Sequence, residues 1–438
     1  MKLNSMSVLE TKAQLLDELM LARTRTEQLI NSLSDTQLDV PYHPGVNPPL
    51  WEMGHSAFFY EVFVFKLLDG LASYNPAMDD LWDSFHVQHR DRWRRDLFPG
   101  REETLEYFHT VYDRVAERIR GCELTDQELY LYRYAIFHQN MHIESLIWCR
   151  QTVNYPAPTD FVGDRPAPGE AVAGDVEVPA GRWVVGMPGA SEAFAAKDFA
   201  FDGEKPRFEV PLPGFAISRT LVSNREFLAF VEDGGYQRPE LWSFGGRQWL
   251  ESAPEHPVYW RCQDGQWQVR LFDQWLPLNP DAPVTHVSYW EAEAWCRWAE
   301  RRLPTEYEWE VAALANRPGE VFRRYPWGND APDASRVDMN GRSMAQNPVF
   351  DYPAGDSAFG CRQMLGSVWE WTSDQFLPYD GFKVDMYPFM STLQFGDHKV
   401  TRGGSCATTS SLIRGTYRQA YLPQRNDVFT GFRTCALG

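Results

Sequence analysis

Three histidines carry the chemistry this sequence most directly suggests. His138 and His142 stand four apart in FHQNMHIES (137–145), and His55 lies upstream in PLWEMGHSAFFYEVF (49–63). On a helix, residues i and i+4 share a face, so the pair can present two imidazoles side by side. Two readings stay open on spacing alone. The rings are either hydrogen-bonded core histidines, since His is only intermediate in burial, or ligands of a metal. Three neutral imidazoles with open positions suit zinc, copper or iron(II), and spacing does not choose among them.

Helices must position these rings. Leu131, Ala135, His138, His142, Leu146 and Cys149 follow one face of a helix, which a capping-box pattern at Thr125-Asp126-Gln127-Glu128 starts. Trp51, His55, Phe58, Val62 and Phe65 form the inward stripe of an earlier helix near 48–69. A third stripe, Leu105, Phe108, Tyr112, Val115 and Ile119, falls in 102–120 and ends at Gly121. With a further helix near 8–33, the count reaches four, and a four-helix bundle follows. Bundle interiors are where facing helices build metal sites.

The chain has 438 residues, too many for one ordinary core, so two domains are expected. Its net charge of −18 argues against nucleic-acid and anionic-membrane partners, which call for basic patches. No run approaches a membrane span, and MKLNSMSVLE lacks the apolar region of a secretory signal. Seven scattered cysteines without a CxxC fit reduced thiols and a cytoplasmic setting.

Texture changes along the chain. Residues 1–154 read as the bundle. From 155 to 181 the sequence YPAPTDFVGDRPAPGEAVAGDVEVPAG is rich in proline and glycine and reads as an inter-domain connection. Residues 182–438 are loop-rich, with short strands and brief helices. One of these is announced by the capping box Ser223-Asn224-Arg225-Glu226.

The second half carries a family pattern: VSYWEAEAWCRWAERRLPTEYEWEVAA (287–313), YPWGN (325–329), GCRQMLGSVWEWTSD (360–374), TRGGS (401–405) and RGTYRQAYLPQRNDVFTGFR (414–433). It resembles the formylglycine-generating-enzyme, or sulfatase-modifying-factor, family. That resemblance implies a C-type-lectin-like α+β domain. Fused behind a DinB-like bundle with H…HxxxH, and with FLPYDGF at 376–382, the chain resembles the EgtB-like sulfoxide synthases of ergothioneine biosynthesis. The resemblance implies an oxidoreductase whose His55, His138 and His142 hold non-haem Fe(II). Its co-substrates would be O2, hercynine (trimethylated histidine) and a chalcogen donor. The site would lie between the two domains. A tyrosine of the second domain would deliver a proton or electron, with Tyr379, Tyr387 and Tyr421 as candidates. The hercynine ammonium would suit an aromatic-lined pocket.

Departures from that pattern bear on the donor. The basic segment that grips the carboxylates of γ-glutamylcysteine in many such enzymes reads DSFHVQHRDRWRRDLFPGR (83–101) here, leaving Arg90 as a donor contact. Gln419-Ala420-Tyr421 replaces an Asn-Trp-Asp, while Arg418 and Arg425 match. Met141 stands where the family has Gln; as a soft gap-filler it reads first as packing. Loss of an acid and gain of a tyrosine suggest a donor that is not an amino acid. The resemblance therefore points to the selenoneine synthase (SenA) branch, with a selenosugar as donor and a thiol as the alternative. Met141, Gln419, Tyr421 and Arg425 would shape the substrate side, with Tyr387 and Tyr379 as catalytic tyrosines.

Three rivals remain. Copper-dependent formylglycine formation needs two thiolates shortly after the RGGS motif. Only Cys406 follows here, and it reads as packing. A zinc hydrolase would use the same three histidines. A non-catalytic lectin-like module would have no need of them. The family's structural Ca2+ is not expected, because its GNVWEW reads GSVWEW from Gly366 to Trp371.

Overall fold

The computed structural model describes residues 5–158, 168–188, 199–320, 323–385 and 390–438. The chain divides into two compact units, Met1–Asp160 with Ala193–Phe199, and Phe161–Glu192 with Ala200–Gly438.

In the first unit four long helices form the bundle: α1 (Ser5–Asn31), α2 (Pro49–Tyr60), α3 (Arg101–Gly121) and α4 (Asp126–Thr152). Pro49 opens α2, where its fixed φ and missing N–H cost nothing. The helix continues through π-helical turns at Glu61–Lys66 and stops at Gly70, whose φ is +66°. Acids in the first turn of α3 (Glu102, Glu103) and bases in its last (Arg118, Arg120) suit the helix dipole. The expected box starts α4: Thr125 Oγ1 accepts from Glu128 N, and Glu128 reaches back to Thr125 N. Both α1 and α2 pack on α3 and α4.

One expectation is too narrow. The inward stripe of α2 widens into burial on almost every side, from Trp51 to Tyr60. The turn Asp79–Trp82 also covers this helix, and the Trp82 ring lies where a Cβ on Gly54 would be. A helix buried all round belongs to the unit's centre.

The second unit is sheet-rich. Strand β1 (Asp175–Val178), β2 (Gly181–Val185), β3 (Phe208–Leu212) and β4 (Phe215–Ser218) come first; β5 (Trp260–Gln263), β6 (Gln266–Leu271) and β7 (Gln274–Pro277) form a meander. They are followed by β8 (Arg301–Arg302), β9 (Trp369–Gln375), β10 (Lys399–Arg402), β11 (Arg418–Tyr421), β12 (Thr430–Gly431) and β13 (Cys435–Ala436). Two four-stranded sheets have the orders β1-β4-β13-β8 and β11-β10-β9-β12. The helices are α5 (Asn224–Glu232), α6 (Phe244–Leu250), α7 (Tyr289–Trp298) and α8 (Glu306–Leu314). Boxes from Ser223, Ser288 and Thr305 start α5, α7 and α8. Strand β1 falls inside the 155–181 stretch read as connection. Val176 and Val178 point into the core and pair with β4, but four alternating residues among prolines and glycines give too short a period to see.

The family motifs build this unit's interior. Arg433 pairs with Glu370 at 2.6 Å, Arg418 with Glu306 at 2.7 Å, and Arg402 with Glu310, all buried. Such pairs are costly to bury and costlier to break. Gly403 has φ +96°, and a Cβ there would press on the Met364 carbonyl. All seven cysteines are free thiols, and Cys406 is fully buried. Among the described residues no helix is long and apolar enough to cross a membrane.

Candidate metal centre

The bundle brings the three predicted histidines together. His55 on α2 and His138 and His142 on α4 each offer a ring nitrogen, and these atoms lie within 4.8 Å of one another. Ring centroids stand 5.1 Å (His55–His138), 4.9 Å (His55–His142) and 4.5 Å (His138–His142) apart. The Nε2 atoms of His138 and His142 face each other at 3.2 Å.

Neighbours hold the rings in place. His55 Nδ1 meets the Trp82 carbonyl at 2.6 Å, which puts the proton on Nδ1 and leaves Nε2 as a lone pair. Trp51 stacks on His55 at 4.6 Å, and Phe59 stacks on His138 at 3.5 Å. Desolvation holds the His55 and His138 imidazoles well below their usual range, with the neighbouring His142 adding to the effect. Both are therefore neutral at pH 7, the form that ligates a metal.

These residues fit a metal. His138 Nδ1 and His142 Nδ1 are buried without a hydrogen-bond partner, an arrangement a protein core seldom tolerates without a purpose. Glu52, fully buried on α2, accepts from Ser145 Oγ at 2.6 Å and Asn47 Nδ2 at 3.0 Å, and its other oxygen lies 3.4 Å from His142 Nδ1. Glu52, Ser145 and the Trp82 carbonyl are the parts sequence reasoning missed. A lone acid three residues before an inward histidine, in an otherwise apolar run, was the available signal.

A cavity of about 720 Å3 opens beside Trp51 and Arg92 in the same unit. Arg92 lies 4.0 Å over Trp51 and donates to Asn47 Oδ1 and the Ser84 carbonyl. Burial pulls its guanidinium down to about 10. Other arginines lining the cavity are already paired: Arg94 with Asp96, Arg95 with Asp39 and Arg101 with Asp35.

The remaining candidates are placed as follows. Arg90 is exposed and stacks on Tyr42 at 4.5 Å. Met141 is half-buried on α4, beside His142. In the second unit Gln419 Nε2 stands 3.4 Å from the Tyr421 hydroxyl, and Arg425 lies 5.7 Å from the Tyr421 ring. Asp427 already holds Arg425 through bonds of 2.5 and 2.8 Å. Tyr379 is buried; its hydroxyl donates to Glu306 at 3.2 Å, and the Arg418 guanidinium covers its ring at 4.0 Å. Desolvation raises that hydroxyl well above its usual range, so it stays protonated. Tyr387 lies outside the described residues.

Comparison with known proteins fits this architecture. Residues 18–146 match the DinB superfamily, and residues 164–436 match the sulfatase-modifying factor enzyme 1-like domain. Hercynine oxygenase of Mycolicibacterium smegmatis is 33% identical over 430 residues, covering 96% of this chain and 97% of the relative. The hercynine oxygenase of Mycobacterium tuberculosis is 34% identical, covering 96% and 98%. A formylglycine-generating enzyme from Thermomonospora curvata is 31% identical but covers only 63% of this chain against 98% of its own. Among solved structures, PvdO from Pseudomonas aeruginosa covers 61% of this chain and 98% of its own at 21% identity, with a TM-score of 0.42. The full-length relatives share both units, and at that identity over nearly the whole sequence this chain is an enzyme that belongs to the EgtB-like hercynine oxygenase family.

Proposed function

We propose that this enzyme uses iron(II) and O2 to form a carbon–chalcogen bond on the imidazole of hercynine, with a selenosugar as the chalcogen donor. The observation that carries the reading is the cluster of three imidazoles on α2 and α4, with His55 and His138 buried and neutral and His142 half-buried beside them. Bound by His55, His138 and His142, iron(II) would supply an O2-activating centre with positions open for a substrate. In the overall reaction the ring C–H and the donor's chalcogen–H bonds break and a carbon–chalcogen bond forms. O2 accepts the electrons; one oxygen leaves as water with both hydrogens, and the other stays on the chalcogen.

The chain's own groups have definable parts in this. The Trp82 carbonyl fixes the His55 tautomer, while Trp51 covers the His55 ring and Phe59 the His138 ring. On the substrate side we assign Met141 and Arg90 from the bundle and Gln419, Tyr421 and Arg425 from the second unit. Tyr379 and Tyr387 are the proposed proton or electron donors. Tyr379 would have to leave Glu306 to act, which favours Tyr387 of the two.

Support for a neutral donor comes from charge. Arg425 is neutralised by Asp427, and most arginines lining the bundle cavity are neutralised by their own acids. A thiol such as γ-glutamylcysteine is the second reading, favoured by Arg92, whose two hydrogen-bond acceptors are both uncharged. One assay separates them. Fe(II)-loaded protein is incubated with hercynine, O2 and either a selenosugar or a set of thiols, and the product is weighed. We expect the selenosugar adduct. Coupling to thiols alone would overturn the selenium reading, and no hercynine-dependent product with any donor would overturn the proposed activity. Hercynine consumption without a donor adduct, undiminished by strict exclusion of O2, would point instead to zinc hydrolysis.

A further inference from the structure

The carboxylate of Glu52 has no explanation in the fold alone. It is fully buried at the centre of the bundle, on the same helix as His55 and one turn before it. Burying an ionised carboxylate is costly unless it is paired and hydrogen-bonded. Oε1 is well served: Ser145 Oγ donates at 2.6 Å from α4, and Asn47 Nδ2 at 3.0 Å. Asn47 is itself held by Arg92 Nη1 at 2.8 Å. Oε2 has no hydrogen-bond partner. The group it faces is His142 Nδ1, 3.4 Å away, which also lacks one.

We infer that Glu52 is a positioning residue that orients His142 through its Nδ1–H and lends the imidazole negative charge. This rests on the reading of the three histidines as a metal centre. To ligate through Nε2, His142 must carry its proton on Nδ1, and that N–H then needs an acceptor. Glu52 Oε2 is the acceptor within reach, 3.4 Å away but not yet aligned for a hydrogen bond. Closing from 3.4 Å to a charge-assisted bond takes a shift of about 0.5 Å. The anchors on Oε1 aim the carboxylate: Ser145 sits three residues after His142 on the same helix, so the ligand and its support move together. His55 uses the Trp82 carbonyl for the same purpose. The two helices thus fix their ligands by different acceptors, one neutral and one charged. A carboxylate behind a ligating imidazole raises its basicity and fixes its ring.

The test is an anaerobic titration of the full-length metal-free protein with Co(II), followed by its optical bands, and with Fe(II), followed by bound metal. Glu52→Gln keeps the size and can still accept from Ser145, but loses the charge and offers an amide N–H to His142. We expect metal binding roughly 10–100-fold weaker and shifted Co(II) bands, with the far-ultraviolet spectrum of the metal-free protein unchanged. Affinity within about twofold of the unaltered protein, against that 10–100-fold expectation, with unshifted bands, would overturn the inference. Should Glu52→Gln not fold, Ser145→Ala and Asn47→Ala loosen the carboxylate without removing it. Each is expected to weaken binding, and wild-type affinity and bands in both would count equally against the proposal. If the unaltered protein takes up neither ion, the metal-centre reading falls and this inference with it. Normal uptake with an indifferent Glu52 removes the inference alone.

Discussion

His138 and His142 stand one turn apart on α4 with their Nε2 atoms 3.2 Å from each other. Without a metal, one of the two can donate its Nε2–H to the other at that distance. A shared ion would replace that proton with little movement, because bonds of about 2.1 Å at right angles place two nitrogens about 3.0 Å apart. The arrangement gives His138→Ala a definite expectation. Metal affinity should fall by more than about 100-fold, beyond the loss typical of a supporting residue. Bound metal per chain after dialysis is the measurement.

Gly54 and Trp82 give a second prediction. A side chain at Gly54 would run into the Trp82 ring, and the Trp82 carbonyl holds His55 Nδ1. Gly54→Ala should cost about 1–3 kcal/mol from overpacking and also weaken metal binding by displacing that carbonyl. Urea unfolding and metal titration on the same variant check both. A stability loss with unchanged affinity would show that the His55 contact tolerates the shift.

The start of α4 can be separated from its middle. Thr125→Ala removes the side chain that accepts from Glu128 N and should lower stability by about 1 kcal/mol. The histidines lie more than three turns further on, so metal affinity should stay at the wild-type value. Denaturant midpoints and titration curves report the two effects independently.

A pH effect follows from His286 in the second unit. This buried residue has φ +60° and rings of Tyr259 and Phe429 against it. Desolvation, with Arg270 adding to it, pulls its imidazole down to about 3. Unfolded, it titrates near 6.5. Between these values the unfolded chain binds a proton that the folded chain refuses, so stability is lost as pH falls below about 6.5, by up to about 1.4 kcal/mol per unit. His286→Asn tolerates the left-handed backbone and does not titrate. Its stability should fall less steeply from pH 6.5 to 4, as unfolding curves at several pH values would reveal.

Much of the site was legible in residue order. Capping boxes at Thr125 and Ser223 appear where expected because they need only contacts three residues apart. Helical phase turned His138 and His142 to the same side as Leu131 and Leu146. Strand β1 escaped notice because four residues are too few for a period to stand out among prolines. Tyr379 was a candidate by its neighbourhood in sequence. Only the packed domain shows its hydroxyl tied to Glu306 beneath Arg418.

The sequence by itself determined the two-part organisation, the helices and the inward direction of three histidines, all consequences of local periodicity and composition. The tertiary structure alone decided which nitrogen of His55 is free, why Trp82 must sit on a glycine, and where the second oxygen of Glu52 points. Those depend on groups 27 to 93 residues apart in the chain. Sequence spacing carries no record of such contacts until the core closes around them.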